Sequence, residues 1–329
     1  MVGDFSLNQK KYTGVITFCD AANLWMKTKK NKVKESTFAV YHHTVVRHLL
    51  PDLGKMELSS ISEDTLNQYL DDLMNGHRLR GEGALSWKTV SDIRSVLRMI
   101  LNCASRNGYP QLAAVQLTLR SPKPSTMQVF TREEQRKLVS YLMKDLTPLN
   151  LGILLSLFSG LRIGEICGIR WGDIDFQYGT LSVNRTVIRI SNLNGETGRR
   201  TKVIVTDPKT VHSIRTIPVP GDVLSLLEKF RGEGDYYLLT GTGKCMEPRT
   251  LLSNYKAVLK AAGLPDYRYH TLRHTFASRC VEQDFDMKSL SEIMGHANVK
   301  ITMDRYVHPS MEYKKQQMDR LTLPITTGN

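Results

Sequence analysis

Residues 119–131 read Leu-Arg-Ser-Pro-Lys-Pro-Ser-Thr-Met-Gln-Val-Phe-Thr. Two prolines, two serines and too few apolar residues for a repeating face predict an exposed connection rather than a helix or strand. Thr131-Arg-Glu-Glu134 follows, with the spacing of a capping box: a hydroxyl and, three residues on, a carboxylate can each take a free backbone N–H. The reading is a linker at 121–130 between an N-terminal domain, 1–120, and a second domain, 131–329, that opens on a helix. Two domains suit 329 residues, roughly twice the common domain length.

Upstream of the linker the apolar residues recur at helical spacing in four stripes. They are Phe18, Ala22, Trp25 and Met26; Phe38, Tyr41, Val45, His48 and Leu49; Leu66, Tyr69, Leu70 and Leu73; and Val90, Ile93, Leu97, Ile100 and Leu101. Four helices with ordinary core faces are predicted, none implying a cofactor. The turns between them are basic. Lys27, Lys29, Lys30, Lys32 and Lys34 fall within eight residues free of acid, and Arg78 and Arg80 sit in the Gly-rich turn His77–Gly81. With Arg120 and Lys123 of the linker, these are candidate phosphate contacts; the plainer reading is a solvated charged face.

Downstream the types mix. Leu142 to Ile169 reads as apolar helix, and Thr180–Ile190, Lys202–Thr206 and Arg215–Val219 carry the β-branched enrichment of three strands. Asp207-Pro-Lys-Thr210 lies between the last two and signals a turn, which predicts a hairpin with Lys209 at its tip. From Asp222 onward the pattern is helical again. The fold class expected is therefore an all-α N-terminal domain followed by a mainly α domain with a small antiparallel three-stranded sheet.

Composition narrows the partners. Hydrophobic residues make up 41% and charged residues 23%, as in ordinary globular proteins. Lys and Arg number 45 against 32 Asp and Glu, a net charge of +13 that attracts a polyanion, nucleic acid first among them. The longest apolar run, Leu151–Phe158, is far short of a membrane span, and the first residues lack an apolar signal region. Five scattered cysteines without a Cys-x-x-Cys pair suggest neither a disulfide framework nor a zinc knuckle and fit a reducing cytoplasm.

Two tempting motifs fail on detail. Gly241-Thr-Gly-Lys244 lacks the earlier glycine and the following hydroxyl of a phosphate-binding loop, since Leu238 and Cys245 stand there. His270 and His274 are spaced like a zinc pair, but the glutamate between them is missing and Arg273 would repel a divalent cation.

What remains is a dispersed set: Arg162 and Glu165 in Ser159-Gly-Leu-Arg-Ile-Gly-Glu165, Lys209, His270-Thr-Leu-Arg273, Gly295-His296, and Tyr306 ten residues beyond. Each alone has a structural explanation. In this order they closely resemble the tyrosine recombinase (phage integrase) family, whose catalytic domain carries an Arg in a GLR-x-GE turn, a hairpin Lys, an H-x-x-R helix, a GH pair and a late Tyr. Cys167–Asp175 and Leu272–Ala277 extend the similarity into flanking sequence.

The resemblance implies site-specific recombination, in which Tyr306 attacks a DNA phosphodiester, forms a covalent 3′-phosphotyrosyl ester and expels a sugar 5′-oxygen. The charge that builds on the nonbridging oxygens suits the guanidinium forks of Arg162 and Arg273. His270, on the same helix face as Arg273, and His296 are the candidates to hold oxygens or move a proton, and which one does so stays open. Lys209 is the candidate acid for the leaving oxygen, and Glu165 the residue that orients the cationic cluster. Because one phosphoester replaces another, neither ATP nor a metal or other cofactor is expected.

The resemblance further implies a double-stranded recombination site as substrate, encircled by the two domains. It implies four protomers on synapsed DNA, with 311–320 docking on a neighbour or on its own chain, and accessory DNA-bending or directionality factors. A bacterial, phage or other mobile-element origin is expected. Fewer than about 20 residues precede the first helical stripe, so a separate arm-binding domain is not expected. An Xer-like resolvase, an invertase, a simpler mobile-element integrase and a lambda-type integrase all remain open. So do a type IB topoisomerase, which uses similar chemistry without exchanging partners, and a catalytically silent DNA-binding regulator.

Overall fold

Buried stripes of the kind expected at the N-terminus do organise helices there. The computed structural model describes residues 16–76, 83–109, 112, 114–119, 127–193, 200–206, 214–306, 315, 318 and 319. The chain divides into two compact units, Met1–Ser125 with Ile190–Lys202, and Thr126–Arg189 with Val203–Asn329.

In the first unit α1 (Phe18–Lys29) starts at Thr17, whose hydroxyl accepts from the Asp20 amide while the Asp20 carboxylate accepts from the Thr17 amide. The second stripe is carried by α2 (Glu35–Thr44), a π turn (Val45–Leu49) and α3 (Leu50–Leu53), which run on without a gap. Ser62 and Ser86 cap α4 (Glu63–Asn75) and α5 (Trp87–Ser105), their hydroxyls accepting from the amides of Thr65 and Thr89. Phe18, Trp25, Leu49, Leu66, Leu70, Leu73, Ile93 and Leu97 close the core between them. Lys27 and Lys29 fall in the last turn of α1, where cations complement the helix dipole.

The second unit begins with α6 (Arg132–Lys144), and both bonds of the capping box between Thr131 and Glu134 are present. The apolar stretch expected as helix over 142–169 is interrupted twice. It becomes the end of α6, then α7 (Pro148–Ser159) and α8 (Ile163–Ile166). The second break comes from Gly160, which ends α7 at φ +66° with its N–H on the Ser156 carbonyl. Almost every residue of α7 is buried, as befits a helix apolar all round that forms the middle of the core.

The strands also depart from expectation. After a 3₁₀ turn (Trp171–Asp173), β1 (Ile174–Asp175), β2 (Thr180–Val183) and β5 (Arg215–Pro218) form an antiparallel sheet in the order β1-β2-β5. The segment read as one strand over 180–190 breaks at Asn184 and Arg185, which turn to the Asp173 carboxylate. Beyond the break β3 (Thr186–Ser191) pairs with β4 (Thr201–Thr206) in a separate two-stranded sheet. The expected hairpin of β4 with β5 is therefore corrected: these strands lie in different sheets. Burial decides the pairing, because Leu181, Val183 and Ile217 alternate inward and bring β5 against β2, whereas β4 has no fully buried residue. Lys209 lies outside the described residues.

The rest is helical: α9 (Gly221–Lys229), α10 (Pro248–Ala261), α11 (His270–Glu282), α12 (Met287–Met294) and α13 (Val299–Tyr306). Helix α11 packs on α7, and both α12 and α13 pack on α11. Among the described residues no helix is long and apolar enough to cross a membrane.

Candidate active site

The C-terminal end of α12 organises the polar cluster. Its last carbonyls have no partner within the helix, and each of three arginines takes one. Arg215 donates from Nε to the Ile293 carbonyl (2.7 Å), Arg273 from Nη2 to that of Met294 (2.6 Å), and Arg162 from Nη2 to that of Gly295 (3.0 Å). Gly295 ends the helix at φ +62°, and a Cβ there would stand 2.9 Å from Nη1 of Arg215. Glycine is thus required twice over, by conformation and by the guanidinium beside it.

A single carboxylate balances this charge. Glu165, 3% exposed, accepts both forks of Arg215 at 3.1 and 3.0 Å and Nη1 of Arg162 at 2.7 Å, and its Oε2 also takes the Arg162 amide at 2.9 Å. Burial alone would raise its pKa. The bonds and charge of Arg215, with the charge of Arg162, overcome that and hold it at about 2. Arg273 is 1% exposed and gives its second fork to the Gly160 carbonyl (2.6 Å), so the glycine that ends α7 also anchors this arginine. Burial and neighbouring Arg162 work against its charge, and Glu165 works for it. Three guanidiniums against one carboxylate and a helix end worth roughly half a charge leave more than one positive charge uncompensated. That surplus suits an anion.

Histidines and a phenol face the arginines. His296 is half-buried, with Nδ1 2.8 Å from the hydroxyl of buried Thr302 on α13. Burial and the charges of Arg273 and Arg162 push its pKa down to about 3. His270 is exposed at the first position of α11, yet desolvation of its ring and the charges of Arg273, Arg305 and Arg162 bring it to about 4. Tyr306 ends α13 only 7% exposed, and its hydroxyl meets Nδ1 of His274 at 2.8 Å. Burial raises the phenol above its ordinary pKa although Arg273 and Arg305 pull the other way.

The structure thus gathers Arg162, Glu165, His270, Arg273, His296 and Tyr306 into one cluster within the second unit. In the first unit Lys27, Lys30, Lys32 and Lys34 are exposed and Lys29 half-buried. Arg78, Arg80, Arg120 and Lys123 lie outside the described residues, as does most of 311–320. Two cluster members escaped the sequence reading. Arg215 reads in the sequence only as the start of a strand, although a charge beside buried Ile217 is itself a signal. In the sequence His274 reads as half of a failed zinc pair and as one residue of the Leu272–Ala277 similarity, and its four-residue spacing does bring its ring to 4.6 Å from that of His270.

Solved structures of similar fold include DNA-bound integrases. A Tn1549 transposon integrase in complex with a circular intermediate DNA superposes with a TM-score of 0.74 over 93% of this chain and all of that one, at 20% identity. The description "Phage integrase family" matches residues 128–313, and "Phage integrase, N-terminal SAM-like domain" matches 17–74. The chain belongs to the phage integrase family, the tyrosine-type site-specific DNA recombinases. It is similar to the XerC-like tyrosine recombinase of Caldanaerobacter subterraneus subsp. tengcongensis, 27% identical over 93% of this chain and 83% of the relative. It is also similar to the ICEBs1 integrase of Bacillus subtilis, 23% identical over 97% and 86%.

Proposed function

We propose that the cluster cleaves and rejoins duplex DNA with Tyr306 as nucleophile. The observation that carries this reading is the position of one phenol, almost buried, within electrostatic reach of Arg162 and Arg273 of its own chain. Its oxygen attacks phosphorus, Arg162 and Arg273 hold the nonbridging oxygens, and a 3′-phosphotyrosyl ester forms as the 5′-oxygen departs. Lys209 supplies the proton that the leaving alkoxide needs. His296, its Nδ1 engaged by Thr302, has Nε2 left to donate to a phosphate oxygen, and His270 offers a second donor at the open edge. Glu165 and Arg215 are positioning residues that fix Arg162 against the end of α12.

On this reading residues 1–120 form the core-DNA-binding domain, 121–130 the linker and 131–329 the catalytic domain. The lysines of the first basic turn, with Arg78, Arg80, Arg120 and Lys123, contact phosphates. A lambda integrase of similar fold (TM-score 0.59, 19% identity) has been solved as a tetramer bound to a Holliday junction. This supports four protomers on synapsed sites; the reading is completed by 311–320 docking on a neighbouring protomer and by accessory DNA-bending or directionality factors. The setting is the DNA of a bacterial cytoplasm, on a mobile element like those of the ICEBs1 and Tn1549 relatives.

The test captures covalent adducts that survive detergent after incubating the protein with nicked fragments of its source genome, then sequences the trapped ends. Adducts are expected with the native chain and none with Tyr306→Phe. Adducts that persist in that variant overturn the assignment of the nucleophile.

A further inference from the structure

The scheme above leaves one contact of the nucleophile without a task. His274 lies one helical turn beyond His270 on α11, half-buried, and its Nδ1 is 2.8 Å from the Tyr306 hydroxyl, with ring centroids 5.7 Å apart. This is hydrogen-bond distance from the atom that must lose a proton, and geometry is the first requirement of a general base. The bond to the phenol is made by His274, while His270 packs edge-on against the His274 ring at 4.6 Å.

The surroundings keep both partners neutral. Burial keeps the phenol protonated, and desolvation together with His270, Arg305 and Arg273 keeps the His274 imidazole neutral down to a pH of about 4. A neutral imidazole has one donor and one acceptor nitrogen; in the tautomer that carries the ring proton on Nε2, Nδ1 accepts the phenol O–H, the arrangement a general base requires.

We propose that His274 is a catalytic residue, the general base that takes the Tyr306 proton as the phenolic oxygen attacks phosphorus. The inference rests on Tyr306 being the nucleophile. The O–H bond breaks toward Nδ1, an oxygen electron pair forms the new P–O bond, and the bond from phosphorus to the 5′-oxygen breaks as that oxygen takes a proton from Lys209. Nothing is oxidised or reduced. When the strand is resealed, the His274 imidazolium returns its proton to the departing phenolate. The phosphodiester between the arginines offsets part of the repulsion that disfavours an imidazolium in the free protein.

The experiment measures single-turnover adduct formation at saturating concentrations of the DNA captured above, with the full chain and three variants. His274→Ala is expected to slow the step about 10²-fold or more with DNA affinity unchanged, and added imidazole to restore part of the rate. His274→Asn can present an amide oxygen near the position of Nδ1 and accept the same hydrogen bond, yet it cannot carry the proton, so it is expected to remain slow. Near-native rates in either variant, or a loss that imidazole does not relieve, overturn the proposal. Tyr306→Phe separates the two ideas: adduct formed without the phenol removes the nucleophile itself. Its absence there alongside native rates in the His274 variants removes only the base.

Discussion

The two units bury different things. Of the eleven polar or charged residues buried among the described residues, only Thr44 belongs to the N-terminal unit; Glu165, Asp173, Arg273, Thr302 and the rest belong to the second. The first core is a set of apolar faces in which any well-shaped hydrophobe serves. The second holds charges whose desolvation is tolerated only because each has a partner, and removal of one strands the others. A core built by packing stabilises the chain, whereas a buried cationic cluster costs stability and gives in return a preorganised field for an anion.

The largest effect expected from that contrast is at Glu165. Its folded pKa of about 2 lies below the ordinary 4.5, so its contribution is fully present above about pH 4.5 and is lost as the pH falls toward 2. The difference amounts to about 3 kcal/mol. Glu165→Gln is expected to lower the stability of the second unit by about that much at pH 7 and to flatten its decline in acid, read by hydrogen exchange at the amides of α11. Leu97→Ala, a fully buried position of the first core, is expected to cost about 2 to 5 kcal/mol at the amides of α5, equally at pH 7 and pH 4. Parallel pH profiles for native Glu165 and Glu165→Gln would contradict the charge balance described for this site.

A smaller effect is expected where backbone and charge meet. Gly295→Ala places a methyl against Arg215 at a left-handed position, which costs about 1 to 2 kcal/mol. It also moves Arg215 relative to Glu165, so adduct formation should slow roughly tenfold while binding of intact duplex holds. Equal rates for the two proteins would mean that the arginines do not depend on the end of α12 for their positions.

How much was legible in advance follows the same contrast. Stripes such as Val90, Ile93, Leu97, Ile100 and Leu101 announce a helix because a single buried face imposes its period on the sequence, and all five are buried. The cluster could be read only as short motifs in a familiar order; no periodicity connects Arg162 with Gly295. The failures come from information that is not local. Asp207-Pro signals a turn whichever strands flank it, whereas the partner of β5 is chosen by Leu181 and Ile217 meeting across 36 residues. Arg215 resembles any charge at a strand end until the carbonyls of α12 and the Glu165 carboxylate are brought to it. Apart from the Leu272–Ala277 similarity, His274 shows in the sequence only a metal-like spacing to His270, because its partner, Tyr306, lies 32 residues away.

The smallest effect sharpens the comparison from the other side. Lys27, Lys30, Lys32 and Lys34 of the N-terminal unit are exposed, so salt screens their charge, and their contribution to DNA binding should come from release of counterions rather than from a shaped site. Lys30, exposed at the end of α1, is suited to the test because its backbone N–H already serves the helix by donating to Met26. Lys30→Ala should therefore leave the fold intact and weaken binding to any duplex by about 1 kcal/mol or less, with the slope of log affinity against log salt reduced by about one. The measurement is a salt titration on two unrelated duplexes. An unchanged slope would make this lysine part of a solvated helix end, its charge serving the dipole of α1 and not a phosphate. A loss confined to one sequence would point to a base edge, placing in the N-terminal unit the kind of specific polar contact that otherwise distinguishes the second.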